Sequence, residues 1–201
     1  MELIDKLDHV RHISLMHPTR QCVTMNVIVK FTQRYPRLQS FVVCREKCLT
    51  DHCLGILSEK CHHLEKLHFC GVLNVTEGGM LSIIPINRFL RNVQIGHTRD
   101  GVSNSILNAL AEHCAHLEAL SVYNAENMDD IGLNALSRGC RHLRRISFET
   151  RTTFTATGVL SAVDNWNKLV LIRLGRQIDC SGRDRDTQLM SALGEKIKFY
   201  F

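Results

Sequence analysis

The chain has 201 residues, 44% of them hydrophobic, with a formal net charge of +5 and nine cysteines. No apolar run approaches the roughly 18 residues that a membrane span requires, and the opening M-E-L-I-D-K-L-D-H-V is too charged for a signal peptide. Basic residues are spread without a run, so no nucleic-acid arm is expected. Cysteines without a secretory signal are expected as reduced thiols, which places the protein in the cytoplasm or nucleus.

The first elements are partial. Leu3 and Leu7 fit the second half of a helix, and Val10-x-x-Ile13-x-Leu15 follows as a strand whose inward residues alternate with period 2. After an excursion from His17 to Cys22, Val23-Thr24 places an apolar residue ahead of a helix N-cap candidate. Ile28 and Phe31 continue that helix, and Leu38-x-x-Phe41-x-Val43 gives the next strand. The third unit is the clearest. Leu49-Thr50-Asp51 supplies a cap and first-turn negative charge, and Leu54, Leu57 and Cys61 share one helical face. Leu64-x-x-Leu67-x-Phe69 is its strand. The fourth unit starts at Val75-Thr76, but Gly78-Gly79 and Pro85 fall within its helix, which is expected to be short or kinked. A second excursion runs from Gly96 to Gly101. Val102-Ser103, Met128-Asp129 and Phe154-Thr155 then open three more units. A polar loop is expected at Cys180 to Asp186, a last helix at Thr187 to Leu193 and an eighth strand at Ile197-x-Phe199.

The first apolar residue of the strand pattern recurs at Val10, Leu38, Leu64, Leu90, Leu117, Leu143 and Leu169, in steps of 28, 26, 26, 27, 26 and 26 residues. A unit of one helix and one strand cannot cover its own apolar face and must stack on copies of itself. That period with an L-x-x-L-x-L core is the leucine-rich-repeat signature. The expected fold is α/β: a curved leucine-rich-repeat solenoid, parallel strands on the concave face and helices on the convex face. Residues 1–201 read as a single array of about seven units, the first incomplete and the last helix and strand, 187–199, atypical. Neither end reads as a polar cap, so further repeats or a partner chain are expected to cover the ends.

Cys61, Cys114 and Cys140 stand three residues before the first Leu of their units. With segments such as L-T-D-H-C-L-G-I-L-S-E-K-C-H-H-L and M-D-D-I-G-L-N-A-L-S-R-G-C-R-H-L, the chain resembles the cysteine-containing leucine-rich repeats that follow the F-box in substrate receptors of ubiquitin ligases. Tyr35, Asn87 and Trp166 replace the cysteine in three units. The resemblance implies a protein-binding module for substrate recognition in an SCF-type ubiquitin ligase, with no F-box segment in this chain. A non-ligase scaffold in a cytoskeletal or ciliary assembly is the alternative. A weaker one is a GTPase-activating leucine-rich-repeat protein, whose units are longer and carry Asn where this chain varies.

No G-x-S-x-G, Gly-rich phosphate loop or H-E-x-x-H occurs, so no enzyme, catalytic residue or cofactor is expected. Cys44, Cys48, Cys53, Cys61 and Cys70 crowd together with His52, His62, His63 and His68. Structural zinc needs paired close ligands at matched spacing, and Cys44-x3-Cys48 has no matching second pair, so no metal site is expected. The in-register cysteines are read as a ladder of small buried side chains. Binding is expected of residues alternating outward on the strands: Lys66 and His68, Asn92 and Gln94, Ser121 and Tyr123, then Arg145, Ser147 and Glu149, and Arg173. Ser40, Val42, Cys44, Gly96, Ala119, Leu171 and Gly175 belong to the same strip, with Arg176 beyond it. A protein partner is expected on this concave face, and neither nucleic acid nor membrane. Tyr123, Arg145 and Arg173, on successive strands about 4.8 Å apart, are expected as one compact cluster.

Overall fold

The computed structural model describes residues 9–16, 24–45, 47–124, 127–149, 153–174 and 198–200, the last three as backbone. Leu3, Leu7, the His17 to Cys22 excursion, Gly175, Arg176, the Cys180 to Asp186 loop and the Thr187 to Leu193 helix lie outside these described residues. Strands and helices alternate: β1 His12–Met16, α1 Met25–Arg34, β2 Ser40–Cys44, α2 Asp51–Lys60, β3 Lys66–Cys70, α3 Glu77–Ile83, β4 Asn92–Gly96 and α4 Asn104–His113. They continue with β5 Ala119–Tyr123, α5 Asp130–Gly139, β6 Arg145–Phe148, α6 Ala156–Val163, β7 Leu171–Leu174 and β8 Lys198–Tyr200. The sheet has eight strands in sequential order, β1 to β8, and every pairing is parallel. The register carries the repeat directly: Phe41, Leu67, Val93, Leu120, Ile146 and Ile172 pair across successive strands. None of the described helices is long and apolar enough to cross a membrane.

The core lies between the sheet and the helices. Leu54 and Leu57 of α2 share one buried cluster with Leu67 and Phe69 of β3, and each unit repeats the arrangement. In β3 the alternation is as expected, with Leu67 and Phe69 buried and Lys66, His68 and Cys70 half-buried. Helix α3 has seven residues where α2, α4 and α5 have ten. It stops at Ile83, two residues short of Pro85, because proline would clash with the carbonyl four residues back.

All six expected caps, Thr24, Thr50, Thr76, Ser103, Asp129 and Thr155, stand at helix N-cap positions. Four accept a backbone N–H from their own helix; Thr24 and Thr50 do not. A second bond runs sideways between units. The first helical residue of one unit binds the cap residue of the next. Asp51 accepts from the Thr76 amide (2.8 Å) and hydroxyl (2.6 Å), and Asp130 accepts from the same groups of Thr155 at 2.8 and 2.6 Å. Glu77 accepts from the Ser103 amide and hydroxyl, and Asn104 exchanges two bonds with Asp129. The Asn104 amide is the main reason the Asp129 carboxyl titrates below its ordinary value.

Cys61, Cys114 and Cys140 are fully buried at the helix ends. Each thiol points at carbonyls of the preceding unit, as Cys140 does to Leu110 O and Cys114 O, both at 3.4 Å. The three replacements fill the same place. Tyr35, Asn87 and Trp166 are buried, Asn87 Oδ1 accepts from Leu64 N at 3.0 Å, and Trp166 Nε1 donates to Cys140 O at 3.0 Å.

Candidate functional site

Helices lie on one side of the sheet, no described element covers the other face, and the outward residues of successive strands meet there in rows. Rows are fixed by register, so position along the strand decides which side chains touch. Asn92, Ala119, Arg145 and Leu171 form the row at the strand starts, and Gln94, Ser121, Ser147 and Arg173 the middle row. Cys44, Cys70, Gly96 and Tyr123 form the row at the strand ends.

This overturns one expectation. Arg145 begins β6 while Tyr123 ends β5, four positions apart in register, or about 13 Å along the strand at 3.3 Å per residue. The compact Tyr123–Arg145–Arg173 cluster therefore does not form, because strand spacing alone ignores the offset along the strands. Five outward positions also differ from the open strip expected. Ser40, Val42, Gly96, Ala119 and Ser147 are buried, since these small residues sit among longer neighbours in the same rows.

The face divides into two regions. Over β1 to β3 lies a groove of about 630 Å³, with His12, Ser14, Met16, Lys66 and His68 around a floor of Ser40 and Val42. His68 Nε2 bonds Asn92 Oδ1 at 2.9 Å. Burial lowers the His68 pKa below its ordinary value, outweighing the upward pull of the Asn92 bond, and Lys66 lowers it further.

Over β4 to β7 the centre is Tyr123. Its hydroxyl accepts from Gln94 Nε2 at 3.2 Å, and its ring stacks on the His97 imidazole with centroids 6.0 Å apart. Gly96 makes this possible: a Cβ there would lie 2.3 Å from Tyr123 Cβ. Glu149 accepts from Ser147 Oγ at 3.3 Å and pairs with Arg173 at 3.4 Å. Burial first, then the Glu149 charge, raises the Tyr123 pKa above its ordinary value, while Arg173 lowers it. Tyr123 therefore stays a neutral phenol at physiological pH, offering a ring and a hydroxyl.

His97 was missed in the strip because it lies in the Gly96 to Gly101 excursion. A repeated backbone feature places it. Arg45, Gly71, His97 and Asn124 each follow the last strand residue and have φ of 60°, 70°, 50° and 61°, the left-handed turn that leads the chain away from the sheet. At the other end of the strip, burial raises the pKa of both Cys44 and Cys70, so both stay thiols. Among the described residues no group of three His, Cys, Asp or Glu is placed to hold a metal ion.

No family model matches the chain. Among solved structures, a chain of the complex of Rad7 and Elc1 from yeast superposes with a TM-score of 0.69 at 14% identity, over 88% of this chain and 44% of that one. The fold is a leucine-rich-repeat solenoid. A protein from Bacteroides fragilis aligns over 81% of this chain and 66% of its own, at 14% identity and a TM-score of 0.33, too loose to carry an argument. The solenoid thus spans less than half the length of its Rad7–Elc1 neighbour.

Proposed function

We propose that this chain is a protein-binding leucine-rich-repeat module that recognises substrates in an SCF-type ubiquitin ligase. It carries no catalytic step of its own, and its uncovered sheet face holds the partner. The observation that carries this reading is the Tyr123 region: an aromatic ring fixed by Gln94 and His97, with the Glu149–Arg173 pair beside it. Tyr and Arg dominate interface hot spots, and parallel sheets are normally covered on both faces. The ligase context rests on the cysteine-containing repeat pattern. The Rad7–Elc1 structure supports it only as a protein complex sharing the fold. The fitting partner is a segment with an apolar group for Tyr123 and an acidic group for Arg173.

The test uses the full-length protein that contains these repeats, expressed in cells and captured with its associated proteins. F-box adaptor and cullin are expected in the capture, together with a substrate protein. Tyr123→Ala combined with Arg173→Ala should remove the substrate while adaptor, cullin and the melting curve stay unchanged. Capture without adaptor or cullin would point to a scaffold. Full retention of the substrate by the double variant would move the site off this face.

A further inference from the structure

A second surface runs along the turns that lead into the strands, at the edge of the sheet remote from Tyr123. In units two to seven the residue just before the first repeat Leu is Arg37, His63, Phe89, His116, His142 or Lys168, all exposed and none acidic. The rings stack in pairs: His63 on Phe89 with centroids 6.4 Å apart, and His116 on His142 at 6.5 Å. Lys168 Nζ lies 3.3 Å from His142 Nδ1, extending the row. Phe89 is 55% exposed, unusual for an aromatic among cations. Two grooves of about 390 and 250 Å³ lie along this rim, and Arg91 borders both, so they are neighbours.

Charge gives the rim its specificity. The grooves are lined by five cations, Arg11, Arg37, Arg91, Arg144 and Lys168, against two carboxylates, Glu65 and Glu118, a surplus of three with the histidines neutral. Glu118 is held by Arg91 at 2.6 Å. Among the described residues Arg11, Arg37, Arg144 and Lys168 make no ion pair with a carboxylate.

We infer that this rim is a docking surface for an extended acidic segment of a partner protein, with acidic side chains at alternate positions and an apolar residue set on Phe89. Spacing supports a peptide. Within each stacked pair the rings lie 6.4 and 6.5 Å apart, close to the roughly 6.6 Å spanned by two residues of an extended chain, so across each pair every second side chain meets a new repeat. Glu65 and Glu118 disfavour a nucleic acid, whose phosphates carry charge at every nucleotide, whereas a peptide can present a neutral residue opposite them. The surface is separate from the Tyr123 region, so it stands or falls independently of the substrate reading.

The probe is a fluorescein-labelled peptide of about six Ser-Glu repeats, long enough to span the rim, titrated with the protein at low salt and followed by anisotropy. Binding is expected. It should weaken at about 0.5 M salt, where screening shortens the reach of charges. Arg144→Glu with Lys168→Glu should lower affinity at least about tenfold, since attraction becomes repulsion, and Tyr123→Ala with Arg173→Ala should leave it unchanged. If charge reversal lowers the melting temperature, Arg144→Gln with Lys168→Gln takes its place. Absence of binding, unchanged affinity in the rim variants, or tighter binding of a single-stranded oligonucleotide would each overturn the assignment.

Discussion

A cysteine three residues before the first repeat Leu is buried, and its burial can be measured directly. Burial pushes the Cys61 thiol up to about 11 and the Cys114 and Cys140 thiols up to about 12. The thiolate is the reactive form, so these three should resist alkylation in the native protein at mildly alkaline pH. Cys44 and Cys70 are half-buried on the sheet face and should label before them. Site-resolved mass spectrometry after iodoacetamide treatment checks this, and labelling of Cys114 at the rate of Cys44 would contradict it. The cysteine ladder was legible in the sequence because it depends only on the repeat period. The Tyr123 neighbourhood was not, since it depends on how far along its strand each residue sits. Arg145 and Tyr123 lie at opposite ends of adjacent strands, and His97 enters only through a turn with positive φ.

Helices in this array are tied to one another as much as to the sheet. Where the first helical residue of one unit is Asp or Asn, the third helical residue of the next unit is glycine: Asp51 faces Gly79, Asn104 faces Gly132, and Asp130 faces Gly158. The short polar side chain must enter between the helices to reach the next cap, and a Cβ would block it. The longer Glu77 reaches Ser103 without that space, and Ile106 stands at the corresponding place. The cap positions could be read from sequence alone, but this pairing links residues about one repeat apart and needs the lateral bonds to be seen. At Gly132 an added Cβ would lie 2.1 Å from Asn104 Oδ1, so Gly132→Ala should cost about 1–3 kcal/mol as overpacking. In an Asn104→Ala background the added cost should shrink or reverse, because alanine is the better helix former by up to about 1 kcal/mol. Urea denaturation of the four proteins gives the coupling energy; additive effects would mean that the glycine does not serve the Asn104 bridge.

At the scale of the whole molecule, each described helix and strand packs chiefly on the like element of the adjacent unit, so stability is a sum of units and their interfaces. The interfaces are unequal. Among α1 to α6 the helix contact between α3 and α4 is the thinnest, and the Glu77–Ser103 bonds cross that seam. Leu120 lies fully in the core on β5, paired with Val93 and Ile146. Leu120→Ala should cost roughly 2–5 kcal/mol through lost burial and the cavity left behind. That loss should be local in hydrogen exchange. Protection should fall most in β4, β5 and β6 and in α4 and α5. Across the thin α3–α4 seam, β2 and α2 should keep nearly all of theirs. A loss of equal size in α2 and α5 would show that the array opens as one cooperative block, contrary to coupling between neighbours alone.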